Sequence, residues 1–116
     1  MNAMKPEIIL VYDADCPNAS AARAALREAL GHAGMEPRWV EHDRAALGTP
    51  ERFLRYGSPT ILVDGTDIAG ERGEPVAAAC RVYPDAHGFR GVPPVETILA
   101  AIMDRRAVTS RTWEVR

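Results

Sequence analysis

The stretch that most constrains the fold is a continuous apolar run, Ile8 to Tyr12, which is followed within four residues by Cys16-Pro17. Five successive apolar or aromatic side chains without alternation are typical of a strand that is buried on both faces, and such strands are usually central and parallel. From Ala19 to Leu30, apolar residues recur at three- and four-residue steps and predict an amphipathic helix. The sequence therefore places a cysteine between a buried strand and a helix.

This position has a chemical consequence for Cys16. Unpaired backbone N–H groups and the positive end of the helix dipole stabilise a thiolate relative to a thiol. Pro17 suits the first helical position because its nitrogen carries no hydrogen, and Asn18 and Asp15 are alternative caps. Asp13 and Asp15 act in the opposite direction, since nearby carboxylates repel a thiolate. Asp15 could instead accept the thiol proton, and the alternative is that Cys16 is a small, half-buried structural residue.

Length and charge narrow the class of protein. A chain of 116 residues suits one domain with one core. Its net charge of −2 gives no electrostatic reason to bind nucleic acid or an anionic membrane surface. The longest apolar run is far shorter than a membrane span, and the first residues carry no secretory signal, so we expect a cytoplasmic protein without membrane contact. Two cysteines in a reducing compartment are more often reactive, metal-binding or buried than permanently bridged.

The remaining pattern alternates strands and helices. A strand–helix–strand order implies two parallel strands joined by a right-handed connection, and Asp64-Gly65 between two apolar runs is a strong hairpin signal. The elements predicted after the first helix are a strand at Glu36–Glu41, a short helix from Thr49-Pro50 to Gly57, hairpin strands at Thr60–Val63 and Thr66–Ala69, a short edge strand or extended segment at Cys80–Tyr83, a loop at Pro84–Gly91, a helix at Val95–Arg106 and a polar tail at Ala107–Arg116. The order β-α-β-α-β-β-α predicts an α/β protein with a mixed sheet and helices on both faces.

The element order, the cysteine after the first strand and Ser58-Pro59-Thr60 before the hairpin together resemble the thioredoxin fold. The resemblance covers roughly residues 7 to 70 and the last helix. Cys16 matches the nucleophilic cysteine of the superfamily's Cys-x-x-Cys motif, and Pro59 matches a proline that is cis and faces that cysteine. The resemblance implies a single thioredoxin-like domain with a mixed four-stranded sheet, a core of about residues 6–106 and an insertion before the last helix.

The chain departs from this pattern at Ala19, which occupies the position of the second cysteine. The tetrad Cys16-Pro17-Asn18-Ala19 therefore resembles a monothiol arrangement, as in some glutaredoxins. The insertion resembles a group of small uncharacterised thioredoxin-like proteins, some of which carry an alkylmercury lyase label. Under this resemblance Ser58, Pro59 and Thr60 would present backbone groups to a substrate, and together with Pro17 and Asn18 they are the expected substrate-binding residues.

A second cysteine, Cys80, lies in the insertion. The second hairpin strand should return Gly70 to the Pro59 end of the sheet, beside Cys16, and Cys80 follows ten residues later. One hypothesis is that Cys80 folds back over Cys16, replaces the missing thiol and forms a reversible disulfide with Cys16. The alternative is a buried cysteine in an edge strand, since cysteines that form no disulfide are among the most buried residues.

Three functions stay open. The first is thiol–disulfide chemistry by Cys16, assisted by Asp15 and resolved by Cys80 or an external thiol, with a protein or small-molecule disulfide as partner. The second is a non-catalytic binding module. The third is soft-metal or organomercurial handling by Cys16 and Cys80. No cofactor is expected, because the histidines lack metal-ligand spacing and no phosphate-binding glycine motif occurs. The oligomeric state does not follow from the sequence.

Overall fold

A computed structural model describes residues 6–69, 83–85 and 88–104. No helix in these ranges has both the length and the apolar content that a membrane crossing requires. The elements in chain order are β1 (Ile8–Tyr12), α1 (Ala19–His32), β2 (Val40–Asp43), a 3-10 helix (Glu51–Phe53), β3 (Thr60–Val63), β4 (Thr66–Asp67), β5 (Tyr83–Asp85), β6 (Gly88–Arg90) and α2, whose described residues are 95–104.

Four strands form one mixed sheet in the order β2-β1-β3-β4. β1 runs parallel to β2 and antiparallel to β3, with Val11 opposite both His42 and Thr60. The apolar character of β1 accounts for its central position, since Ile8 to Val11 are each at most 6% exposed. The predicted α/β architecture with a mixed four-stranded sheet is confirmed. Because β1 and β3 are antiparallel, the end of β1 and the start of β3 lie at the same edge of the sheet.

The larger core lies on one face of this sheet. α1 contributes buried Leu26 and Leu30, and α2 contributes buried Ile98 and Ile102 to the same cluster. These positions are the apolar stripes that the helical periodicity predicts. Both α-helices therefore pack on one face, and the only described helical element on the other face is the short 3-10 helix.

The opposite face is covered by the 3-10 helix. Phe53 packs there against Val11 and Leu62, and the ring of His42 stacks on Phe53 with centroids 4.3 Å apart. A longer helix was expected from Thr49-Pro50. The Thr49 hydroxyl instead donates to the Asp43 carbonyl at 2.7 Å and caps nothing.

Two features keep this helix short: the extended backbone at Pro50, directly before it, and the small number of residues between Pro50 and Gly57. Pro50 is extended, with ψ 139°. The turns that follow are closed by hydrogen bonds of the 3-10 type, in which each N–H donates to the carbonyl three residues earlier: Phe53 N–H to Pro50 O (3.0 Å) and Leu54 N–H to Glu51 O (2.9 Å). With few residues before the buried Gly57 and Ser58, a full α-helix cannot recover the cost of its nucleation.

Several boundaries differ from the prediction. α1 begins at Ala19, so Pro17 lies outside it. β2 begins at Val40 and not at Glu36, because Arg38 N–H bonds to Glu36 O (2.8 Å) in a tight turn around Pro37, which has no N–H to donate. β4 ends at Asp67.

The segment predicted as a loop after residue 83 contains a hairpin. β5 and β6 pair antiparallel as a separate two-stranded sheet, with Tyr83 opposite Arg90. Cys80 and the predicted tail at 107–116 lie outside the described residues.

Candidate functional site

The candidate site lies at the sheet edge where β1 ends and β3 begins. Val11 is opposite Thr60 in the antiparallel register, so the chain leaving β1 and the chain entering β3 are neighbours. The turn at residues 13–16 therefore meets residues 57–59. The predicted nucleophile and the predicted proline come together in this way.

The Ser58–Pro59 peptide bond is cis, which confirms the expectation for Pro59. Ser58 and Thr60 have no exposed surface, and Pro59 is among the fully buried side chains. The Thr60 hydroxyl donates to the Gly57 carbonyl at 2.8 Å, which fixes the chain across the proline. The structure thus presents a rigid, buried backbone segment at this edge.

Cys16 is held in a tight turn directly beside that segment. Its N–H donates to Asp13 O at 2.9 Å, and its carbonyl accepts the N–H of Ala19 at 3.3 Å. Its Sγ lies 3.9 Å from the carbonyl oxygen of Ser58, within the range of a weak S–H···O contact. Cys16 is 8% exposed. The sulfur is therefore placed against the residue before the cis proline, three residues ahead of α1.

Asp13 joins three parts of this edge. Its N–H donates to the Ser58 hydroxyl at 2.9 Å, and its Oδ2 accepts from Nη1 of Arg44 at 3.0 Å. The N–H of Arg44 donates to Tyr12 O at 2.8 Å, which continues the β1–β2 pairing by one residue. The carboxylate expected to oppose a Cys16 thiolate is thus paired with a cation.

The sequence did not single out Arg44. One signal was present, because Arg44 lies in the loop predicted after the second strand, and the carboxyl ends of parallel neighbours share one edge of a sheet.

The other predicted residues of the loop lie closer to solvent. Asp15 and Pro17 are exposed, and Asn18 is half-buried. No hydrogen bond or ion pair joins the side chain of Asp15 to another described residue. Asn18 precedes α1 without a capping bond from its side chain. The predicted capping roles of Asp15 and Asn18 are therefore not seen.

Gly91, which the sequence did not single out for the site, packs on this loop. A Cβ at position 91 would overlap the side-chain amide of Asn18. Only a residue without a side chain lets the backbone pass this close. The chain that follows β6 is therefore adjacent to the start of α1.

The chain after β4 also approaches this edge. Ile68 N–H donates to Ile61 O at 3.1 Å, so the described chain has turned back toward the start of β3. Gly70 and Cys80 lie outside the described residues, and the Cys16–Cys80 pairing stays a prediction.

A second pair of charges lies on the β2 side of the sheet. Arg23 on α1 binds Glu41 through Nε at 2.8 Å and through Nη2 at 3.1 Å, and Trp39 Nε1 donates to the same carboxylate at 2.9 Å. The hydrogen bonds from Arg23 lower the pKa of Glu41, and Trp39 adds to this effect. The same bonds, which Glu41 accepts, raise the pKa of Arg23.

A groove of about 650 Å³ lies elsewhere, between β4 and α2. None of its lining residues belongs to the edge that holds Cys16. Among the residues that the structure describes, no three His, Cys, Asp or Glu side chains are grouped closely enough to hold a metal ion. The chemistry available at the described edge is therefore that of one thiol, its backbone neighbours and the Asp13–Arg44 pair.

The chain was compared with models of protein families, with curated proteins and with solved structures, and none of the three comparisons finds a match.

Proposed function

We propose that the protein carries out thiol–disulfide exchange through Cys16 on a thioredoxin-like fold. The observation that carries the proposal is the contact of the Cys16 sulfur with the Ser58 carbonyl, directly before the cis Pro59. A thiol that follows the central strand and faces a cis proline is the arrangement that the resemblance to this superfamily leads us to expect. The sheet order β2-β1-β3-β4 and its strand directions are compatible with that assignment.

The proposed reaction begins with the Cys16 thiolate, formed when the thiol gives its proton to Asp15. The thiolate attacks one sulfur of a substrate disulfide, the substrate S–S bond breaks, and the departing thiolate takes up a proton. A mixed disulfide between Cys16 and the substrate forms. A thiolate of Cys80 or of an external thiol then attacks the sulfur of Cys16 and releases the second substrate thiol. Two electrons have then passed from this pair of thiols to the substrate.

The substrate would approach along residues 57–60. The chain before β3 holds Ser58, Pro59 and Thr60 in a fixed conformation, so an extended disulfide-bearing segment could pair with their backbone groups. Pro17 and the half-buried Asn18 would border the other side of the thiol. In this proposal Asp15, which is exposed on the adjacent turn, accepts the proton of Cys16 directly or through water.

The low exposure of Cys16 favours a second candidate, a binding module in which the thiol is structural. Only 8% of the residue reaches solvent, whereas reactive cysteines are partly accessible. The two candidates differ in whether a small disulfide reaches the sulfur of the folded protein.

Trapping of the mixed disulfide separates these candidates. Reduced Cys80→Ser protein is mixed with oxidised glutathione at pH 7 and its intact mass is followed with time. We expect one glutathione adduct, mapped to Cys16 by peptide mass spectrometry, because no second thiol remains to resolve it. The matched Cys16→Ser variant should form an adduct far more slowly. A Cys80→Ser protein that stays unmodified, while the Cys16→Ser variant forms an adduct on Cys80, would contradict the proposal.

A further inference from the structure

Arg44 places a cation beside the turn that contains Cys16. Its side chain is only 11% exposed and reaches the Asp13 carboxylate, which is 25% exposed. Its position is fixed by its own backbone, because its N–H donates to Tyr12 O at 2.8 Å at the end of β1. The guanidinium is therefore held at the sheet edge by strand pairing.

Asp13 is hydrogen-bonded to both Cys16 and Ser58, the two residues that meet at the candidate site. Its carbonyl accepts the Cys16 N–H, and its N–H donates to the Ser58 hydroxyl. A carboxylate inside the same four-residue turn lies well within the Debye length of about 8 Å at physiological ionic strength. Without a counter-charge it would repel a thiolate at Cys16.

Stability alone is a weak explanation for this ion pair. The Nε atom of Arg44 is buried and has no hydrogen-bond partner among the described residues. A buried donor without a partner costs stability, and a buried ion pair often adds little net stability over apolar residues. The clearest consequence of this pair is therefore electrostatic: it places a positive charge against the Asp13 carboxylate at this edge.

We propose that Arg44 is a positioning residue for Cys16: it neutralises Asp13 and holds the Asp13 turn, so that a thiolate forms readily beside Ser58. The inference rests on the proposed function, because only a reacting Cys16 needs this compensation. Asp15 and Asp43 are the other acidic groups near the turn. Asp15 is exposed, and Asp43 accepts the N–H of Ala45 at 2.9 Å in the loop that follows β2. Arg44 acts on Asp13 alone in the described contacts.

The test is a charge cycle in a Cys80→Ser parent, in which Cys16 is the remaining cysteine. The variants are Arg44→Ala, Arg44→Lys, Asp13→Asn and the double variant Asp13→Asn/Arg44→Ala. The rate of alkylation of Cys16 by iodoacetamide is measured at pH 7 for each. Circular dichroism and urea unfolding verify that each variant is folded at the temperature of the assay.

We expect Arg44→Ala to slow alkylation by about tenfold, because the uncompensated Asp13 lowers the thiolate population. Arg44→Lys should retain most of the rate. The double variant should return to within about threefold of the parent, since it removes both charges. A positioning role predicts this rescue, whereas the loss of a purely structural contact would not be repaired by a second loss.

Two outcomes would overturn the inference while leaving the proposed function intact: an Arg44→Ala rate equal to that of a reactive parent, or a double variant as slow as Arg44→Ala. Failure of the proposed function is recognised separately. In that case Cys16 of the folded parent protein would be alkylated no faster than Cys16 of the same protein unfolded in urea. The proposed role of Arg44 would then be wrong as well.

Discussion

Two partly buried guanidinium–carboxylate pairs lie beside β1, and they are built differently. Arg23 and Glu41 are joined by two hydrogen bonds, and Trp39 adds a third. Arg44 and Asp13 are joined by one hydrogen bond, and Nε of Arg44 has no partner in the described part of the chain. The better satisfied pair is also the more exposed, with 30% and 29% of its side chains accessible against 11% and 25%.

Under the proposed role of Arg44, this difference distinguishes a contact that stabilises the fold from one that acts on Cys16. Arg23 and Glu41 connect α1 to β2, and the effect of their bonds appears as a lowered pKa of Glu41. Arg44 and Asp13 connect the end of β2 to the turn of Cys16, with less complete hydrogen bonding and more burial. Loss of the first pair should therefore change stability, and loss of the second should change the reactivity of the thiol.

The largest expected change in stability comes from Ser58→Ala. It removes the acceptor of the Asp13 N–H, and a partly buried donor left without a partner costs about 1–3 kcal/mol. The turn of Cys16 should also become less ordered, so alkylation of Cys16 should slow several-fold. Urea unfolding and the alkylation rate measure the two effects.

The matched control for Ser58→Ala is Ser20→Ala, which makes the same chemical change at an exposed position of α1. It should leave both quantities nearly unchanged. If Ser58→Ala behaved like this control, the Asp13 turn would not depend on its bond to Ser58. The distinction between the Asp13–Arg44 pair and the Arg23–Glu41 pair would then weaken.

A smaller change in stability is expected at the Arg23–Glu41 pair. Glu41→Gln should lower the free energy of unfolding at pH 7 by at most about 1 kcal/mol, since the pair is partly solvated. Because the pKa of Glu41 is lowered in the folded state, its contribution is complete above the ordinary value of 4.5 and is lost as the pH falls through the folded value. Urea unfolding between pH 7 and pH 3 should show the wild-type and variant curves converging at acid pH.

The same Glu41→Gln variant also tests whether the Arg23–Glu41 pair affects the thiol. The alkylation rate of Cys16 should stay within twofold of wild type. Glu36→Gln is the matched control, because Glu36 forms an exposed pair with Arg38. A large change in Cys16 reactivity in Glu41→Gln would mean that the two pairs are coupled and that their roles cannot be separated.

The general architecture followed from local patterns. The unbroken apolar run at Ile8 predicted a buried central strand, and the periodicity of α1 predicted its buried face, because burial on one or both sides leaves a direct trace in residue order. The start of α1 was misplaced because Pro17 is equally compatible with the turn before a helix. The cis bond at Pro59 was expected from family resemblance, since the local sequence alone carries little signal for it.

The pairing of Asp13 with Arg44 could not be predicted in the same way. These residues are far apart in the chain, and their contact depends on the exact register of β1 against β2. The sequence predicted no register, and it misplaced the second strand, which spans Val40–Asp43 and not Glu36–Glu41. The contact of Gly91 with Asn18 was missed for a similar reason, since the hairpin of β5 and β6 was expected to be a loop.

Under the proposed function, the fold makes Cys16 a reactive thiol in spite of its burial. The most direct measurement compares the rate of alkylation of Cys16 at pH 7 in folded Cys80→Ser protein with the rate in the same protein unfolded in urea. We predict that the folded protein reacts several-fold faster, because the turn holds the sulfur against Ser58 and because Asp13 is paired with Arg44. An equal or slower rate in the folded protein, as burial alone would produce, would contradict the proposed function.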